Sequence, residues 1–84
     1  METTRQLIEQ LRQHQFHIST AESCTGGMIA SMLVGVSGAS EVFEEGYVTY
    51  SNEVKIKNLG VSAETIRKYT VVSGPVAEEM AKGA

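Results

Sequence analysis

The sequence predicts a layered α/β fold, an α/β/α sandwich with two or three strands. Apolar runs at helical spacing alternate with short runs rich in β-branched and aromatic residues, which is the pattern of layered α/β proteins. Glycine or hydroxyl residues stand at the junctions, and no repeat or linker divides the 84 residues. Two or three strands are few for five helices, so we expect a truncated domain whose sheet is short of strands.

The first half of the chain predicts a helix, a strand and a second helix. A capping box before an apolar stripe places the first helix over residues 3–14. Residues 16–20 alternate apolar and polar side chains, which is typical of a strand. The second helix begins near Thr25 and ends at Gly35, and apolar residues cover nearly every face of it. We therefore expect this helix to be buried, with its methionines filling the core.

The second half predicts one more strand region and three helices. Residues 42–43 and 46–50 are rich in β-branched and aromatic side chains and read as strand. Asn52 is the predicted cap of a short helix, because its side chain can accept a hydrogen bond from the first turn. Ser62 and Ser73 are the predicted caps of the last two helices.

Composition excludes several classes of function. The net charge of −3 and the scattered Lys and Arg argue against a nucleic-acid or membrane surface. A single cysteine allows no internal disulfide, and the polar N-terminus lacks the apolar core of a signal peptide. No apolar run approaches the length of a membrane span. We expect a cytoplasmic protein.

Residues 20–27, Thr-Ala-Glu-Ser-Cys-Thr-Gly-Gly, lie where the first strand meets the second helix. Main-chain N–H groups at a helix start have no partner inside the helix, so they can hold a phosphate or an oxyanion. Ser23 is a candidate nucleophile if a base takes its proton, or else a simple helix cap. Cys24 is the rival nucleophile, or else a buried structural thiol. Gly26 and Gly27 permit close approach of a ligand, but their spacing fits no known nucleotide loop.

Lys55 is the candidate base. It falls at the start of a predicted helix, where a positive charge is disfavoured, and a neutral lysine can take a proton from a serine. The alternative is an ordinary solvated lysine. Tyr50 can relay a proton or bond a leaving group, or it is a packing residue. Glu22, beside a helix start, can orient Lys55 or a ligand hydroxyl. His14 and His17 lack a third ligand, so we expect no metal.

Residues 21–27 and 46–55 closely resemble the CinA C-terminal domain family, whose enzymatic members are nicotinamide-nucleotide amidases. The resemblance implies hydrolysis of nicotinamide mononucleotide to nicotinic acid mononucleotide and ammonia, with no metal and no cofactor. It implies that Ser23 is the nucleophile, Lys55 the base and Tyr50 the proton relay.

The same resemblance implies a substrate pocket lined by Glu22, Thr25, Gly26 and Gly27. It also implies that residues 1–84 are the N-terminal half of the domain, because the family's second half carries a further glycine-rich loop and further strands. We expect a small nucleotide as the substrate, no nucleic-acid or membrane partner, and a homo-oligomer. The open alternatives are a nucleotide-phosphate-binding module, a cysteine hydrolase that uses Cys24, and an inactive fragment that folds only against another copy.

Overall fold

Two parallel strands form the middle layer of the molecule, and helices cover both of its faces. The structure is a computed structural model that describes residues 2–84. Its elements in chain order are α1 (Glu2–Gln13), β1 (Ile18–Glu22), α2 (Met28–Val34), a 3₁₀ turn (Ala39–Glu41), β2 (Phe43–Val48), α3 (Asn52–Leu59), α4 (Ala63–Tyr69) and α5 (Gly74–Gly83). The predicted α/β/α class is confirmed, with two strands in the described part.

The strands pair in parallel, with Thr20 opposite Gly46 and Glu22 opposite Val48. One further main-chain bond, from the Thr49 N–H to the Glu22 carbonyl at 2.9 Å, extends the pairing beyond β2. Because parallel strands end at the same edge of a sheet, the segments that follow β1 and β2 emerge side by side. This edge is where the chemistry-bearing residues of both motifs meet.

Each face of the sheet has its own apolar core. Helices α1 and α2 pack on one face, around the buried residues Ile8, Leu33, Ala39 and Val42. Helices α3, α4 and α5 pack on the other face, around Leu59, Val61, Val76 and Met80. None of the helices within residues 2–84 is both long and apolar enough to cross a bilayer.

Helix α2 differs from the expectation of full burial. Met28 and Val34 are each 61 % exposed, and among the helix residues only Leu33 is buried. The two methionines of α2 are therefore surface residues rather than core fillers. The helix presses closely on the sheet through its inner face, because a Cβ at Gly46 would come within 3.3 Å of the Ala30 Cβ.

Several predicted boundaries move by two or three residues. β1 begins at Ile18 because Gln15 takes a positive φ of 59° after α1, and the Phe16 N–H then bonds back to Leu11. The cap of α3 is Ser51 rather than Asn52, since the Ser51 hydroxyl accepts the Val54 N–H at 3.2 Å. Two predictions of helix caps are confirmed by side-chain hydrogen bonds, those at Ser62 and Ser73.

Candidate active site

The buried amine of Lys55 lies against the hydroxyl of Ser23. The Lys55 Nζ is 3.0 Å from the Ser23 Oγ, 2.8 Å from the Thr49 carbonyl oxygen and 2.9 Å from that of Tyr50. Lys55 is only 2 % exposed, so the alternative of a solvated surface lysine is wrong. The structure thus brings together the two residues that the sequence offers as nucleophile and base.

Local structure fixes both partners. Ser23 directly follows β1, and Lys55 lies one turn inside α3, which begins just after β2. The carbonyls of Thr49 and Tyr50 belong to the link between β2 and α3, so the link wraps around the amine it precedes. Sheet pairing brings the ends of β1 and β2 together, and the helix cap at Ser51 starts α3 beside the turn that carries Ser23.

The hydrogen-bond partners define what Lys55 can do. A carbonyl oxygen only accepts, so two N–H groups of the amine are committed to Thr49 and Tyr50. The remaining position on the nitrogen faces Ser23. In the neutral amine this position is the lone pair, which accepts the hydroxyl proton and makes the serine oxygen a better nucleophile. In the ammonium form it donates to the same oxygen.

Ser23 and Lys55 line a pocket of about 410 Å³. Its polar side includes Cys24, Tyr50 and Asn52 together with this pair. Helices α3 and α5 both begin at the pocket, at Asn52 and just after Ser73 respectively. A helix start carries a partial positive charge, so both ends favour an anionic group on a ligand.

The apolar part of the pocket lining consists of Val71, Val72, Ala77 and Met80. Val72 is 90 % exposed, and Thr70 before this pair takes a positive φ of 69°. Sequence reasoning treats the two valines only as a link between helices. The sequence did offer one signal for a binding surface. Two valines stand directly before a serine cap, in a turn where exposed apolar side chains are not required for packing.

Glu22 does not touch Lys55, in contrast to the expectation that it orients the amine. Its carboxylate is 3 % exposed and accepts hydrogen bonds from the Thr25 hydroxyl at 2.7 Å, the Ile29 N–H at 2.8 Å and the Ala30 N–H at 3.0 Å. Burial raises the pKa of Glu22, but the hydrogen bonds outweigh it and hold the pKa below its ordinary value. The carboxylate is an internal cap on α2.

Thr25, Gly26 and Gly27 do not line the pocket. Gly26 and Gly27 have φ of 67° and 103°, which L-residues with a side chain rarely adopt, and they turn the chain into α2. The N–H groups that follow are bound by Glu22. The expected anion site at this helix start is therefore filled by the protein's own carboxylate, and the glycine pair serves the turn.

Cys24 and Tyr50 are both exposed. A buried structural role for Cys24 is wrong, since its thiol is free and lines the pocket. The Tyr50 side chain is 76 % exposed, and within residues 2–84 its hydroxyl makes no hydrogen bond. The contact of Tyr50 with Lys55 is made by its main-chain carbonyl. Among the described residues no three His, Cys, Asp or Glu side chains are close enough to share a metal ion.

Comparison with known proteins gives one consistent picture. A family model described as the CinA C-terminal domain matches residues 1–84. A CinA-like protein of Kosmotoga olearia is 53 % identical over 77 residues, which are 92 % of this chain and 19 % of that protein. A CinA-like protein of Colwellia psychrerythraea is 53 % identical over 78 residues, 93 % of this chain and 18 % of that protein.

Solved structures agree with these matches. The competence/damage inducible protein CihA from Agrobacterium tumefaciens superposes with a TM-score of 0.95 at 43 % identity, over 99 % of this chain and 50 % of that one. A CinA superfamily protein from Escherichia coli gives 0.94 at 41 % identity, over 96 % of this chain and 47 % of its own. The chain therefore spans about half the length of the solved relatives it matches.

Proposed function

The chain belongs to the CinA C-terminal domain family, and on that premise we propose that it carries the nucleophile and the base of an amidase. The proposed reaction converts nicotinamide mononucleotide and water to nicotinic acid mononucleotide and ammonia. The observation that carries the proposal is the 3.0 Å contact between the buried Lys55 amine and the Ser23 hydroxyl, two residues that line one pocket.

The chemistry follows from this contact. Lys55, as the neutral amine, takes the proton of Ser23 while the oxygen attacks the carboxamide carbon. The main-chain N–H of Cys24, a residue that lines the pocket, has no backbone partner within residues 2–84, and in the proposed reaction it stabilises the oxyanion that forms. The C–N bond then breaks, and Lys55 or the Tyr50 hydroxyl gives the departing nitrogen the proton it needs to leave as ammonia. Water, deprotonated by Lys55, finally hydrolyses the ester on Ser23.

The pocket walls support a pyridine nucleotide as the substrate. Val71, Val72 and Met80 offer an apolar surface for a flat aromatic ring beside the reacting oxygen. The starts of α3 and α5 favour a phosphate on the same ligand. No acidic side chain lines the pocket in the described part of the chain, so nothing there repels a mononucleotide.

Ammonia release from nicotinamide mononucleotide tests the proposal. We expect Ser23→Ala and Lys55→Met each to lower kcat by about 10³-fold or more, because each removes a partner of the reacting pair. Lys57→Ala is the matched control, since Lys57 lies on the same helix, is exposed and does not line this pocket. The assay is run with this chain and with a version extended at the C-terminus.

Two results would contradict the amidase. Wild-type turnover in Ser23→Ala would exclude the serine mechanism. Binding of the nucleotide without turnover in the wild type, in both lengths of chain, would favour a nucleotide-binding module.

A further inference from the structure

We infer that Glu22 is a positioning residue, an internal anion whose contacts hold the Ser23 hydroxyl on the Lys55 amine. The inference rests on the proposed function, because it assigns a role within the same reacting pair. It concerns a residue next to the nucleophile that does not line the pocket.

The side chain of Glu22 organises the turn that carries Ser23. One carboxylate oxygen accepts the Thr25 hydroxyl and the Ile29 N–H, and the other accepts the Ala30 N–H. The turn itself has few other bonds, chiefly the Gly26 N–H to the Ser23 carbonyl at 3.1 Å. A buried carboxylate with three donors therefore fixes both the turn and the first turn of α2 as one unit.

The main chain of Glu22 reaches the other partner. Its carbonyl accepts the Thr49 N–H at 2.9 Å, and the Thr49 carbonyl accepts the Lys55 Nζ at 2.8 Å. The Lys55 Nζ in turn contacts the Ser23 Oγ, and Ser23 is bonded directly to Glu22. These contacts form a closed ring through the main chain of Glu22, so the position of that main chain is linked both to the hydroxyl and to the amine.

The same contacts exclude a direct role in proton transfer. Both carboxylate oxygens are committed to donors of the turn and of α2, and the side chain is 3 % exposed. A substrate in the pocket meets Ser23 and Lys55 without meeting Glu22. Glu22 consequently acts through Ser23, and its loss lowers the rate of attack rather than the affinity for substrate.

The substitution Glu22→Gln keeps the size of the side chain and removes one of its two acceptors. An amide has a single oxygen, so its NH₂ group must face either the Ile29 or the Ala30 N–H, a donor against a donor. The turn then relaxes, and Ser23 moves relative to Lys55. Glu79→Gln is the matched control, because Glu79 caps α4 in the same way, through the Ser62 N–H and the Thr65 hydroxyl.

A fluorophosphonate probe reports on Ser23 independently of any amide substrate. The Ser23 oxygen bonds to phosphorus, fluoride leaves, and Lys55 takes the hydroxyl proton. The labelling rate is followed by intact-mass spectrometry, at a temperature where circular dichroism shows every variant folded. We expect Glu22→Gln to slow labelling by about tenfold or more, because small misplacements of reacting atoms are costly. Glu79→Gln should label at the wild-type rate and Ser23→Ala not at all.

The outcomes separate the inference from the amidase proposal. If Glu22→Gln were labelled at the wild-type rate, the positioning role would be overturned. If Glu79→Gln were slowed equally, the effect of Glu22→Gln would come from a general loss of stability, and the positioning role would also be overturned. Labelling of wild-type Ser23 without ammonia release would reject the substrate and leave the inference standing. No labelling of wild-type Ser23 would reject both.

A milder variant covers the case in which Glu22→Gln does not fold. Thr25→Val keeps the charge of Glu22 and removes one of its three donors. We expect labelling to slow by a few-fold, and an unchanged rate would overturn the inference. Where turnover is measurable, both variants should lower kcat with little change in KM, because the substrate contacts remain.

Discussion

Lys55 makes three hydrogen bonds at its amine, and two of them go to main-chain carbonyls. The sequence could identify Ser23 and Lys55 as candidates, because a hydroxyl at a strand–helix junction and a lysine at a helix start have chemical meaning by themselves. It could not identify the carbonyl partners. Every residue has a main-chain carbonyl, so the residue types at positions 49 and 50 do not reveal that these carbonyls bind Lys55.

Tyr50 has two possible roles, one for its main-chain carbonyl, which binds Lys55, and one for its side-chain hydroxyl, which is the proposed proton relay. Tyr50→Phe keeps the carbonyl that binds Lys55 and removes only the hydroxyl, which is free to meet a ligand. If the hydroxyl relays the proton to ammonia, kcat should fall by about 10²-fold with little change in KM. Steady-state ammonia release measures both constants. An unchanged kcat would exclude the hydroxyl as the proton relay, and the role of Tyr50 would then be limited to its carbonyl contact with Lys55 and to lining the pocket.

Cys24 is the residue that a rival mechanism would use. Its thiol is exposed at the pocket, but Lys55 contacts the neighbouring Ser23 instead. We predict that Cys24→Ala retains kcat within about threefold, because an unactivated thiol contributes no attack on the amide. The check is ammonia release before and after treatment with iodoacetamide. Complete loss in Cys24→Ala, with a folded protein, would favour the cysteine.

Among the elements, the caps of the last two helices were predictable, whereas the cap of α3 was misplaced by one residue and the strand–helix turn was not predictable. Ser62 and Ser73 stand directly before helical residues, so local chemistry identifies them as caps. The turn after β1 depends instead on Glu22 reaching forward seven and eight residues to Ile29 and Ala30. That contact exists only once two elements have packed. For this reason the sequence suggested a ligand site at a helix start whose N–H groups are in fact bound by the protein's own Glu22 carboxylate.

Glu79 links α5 to α4 and makes the free energy of unfolding depend on pH in the acidic range. The Ser62 N–H, the Thr65 hydroxyl and Lys82 hold the pKa of Glu79 below its ordinary value, although burial opposes them. A lowered pKa in the folded state means that the stabilisation is present at neutral pH and is lost as pH falls through that lowered pKa. We predict that Glu79→Gln lowers the urea midpoint at pH 7 and makes it less dependent on pH.

The neighbouring Glu78 provides the control for this prediction. Its carboxylate pairs with Lys82 at 3.2 Å on the surface, where ion pairs contribute little. Glu78→Gln should therefore keep the pH dependence of the wild type. If Glu79→Gln also kept the pH dependence of the wild type, the contacts of Glu79 between α5 and α4 would not be the cause of the loss of stability at acidic pH.

Gly83 sets how closely α5 approaches α3. A Cβ at this position would overlap the main chain of Leu59, and a main chain cannot move aside as a side chain can. We predict that Gly83→Ala destabilises the fold by about 1–3 kcal/mol, as measured by urea unfolding. Gly35→Ala is the control, because a Cβ there would lie 3.5 Å from its nearest neighbour at a negative φ. Equal stabilities of the two variants would contradict this packing.

On the scale of the whole molecule, the layered class was predictable and the pocket was not. Periodicity decides helix or strand, and the alternation of the two decides the layers. The pocket joins residues from three distant stretches of chain, around Ser23, Lys55 and Val72. Such a meeting depends on the packing of α5 beside α3, which no local pattern records.

The two-stranded sheet and its exposed apolar residues bear on assembly. Within residues 2–84 the outer edge of each strand is unpaired, and Phe16, Met28 and Val72 are at least 61 % exposed. We propose that the isolated chain self-associates, because unpaired edges and apolar surface favour contact between copies. Sedimentation velocity should show a mass that rises with concentration. A monomer at every concentration would contradict this.

Mass spectrometry of the chain during turnover tests most directly whether Ser23, activated by Lys55, attacks the amide. Samples are quenched in acid while nicotinamide mononucleotide is being consumed, and the peptide that contains residues 20–27 is sequenced. We predict a nicotinoyl ester on Ser23 that is absent in Lys55→Met. Turnover with the acyl group on Cys24, or with equal acylation of Ser23 in Lys55→Met, would contradict it.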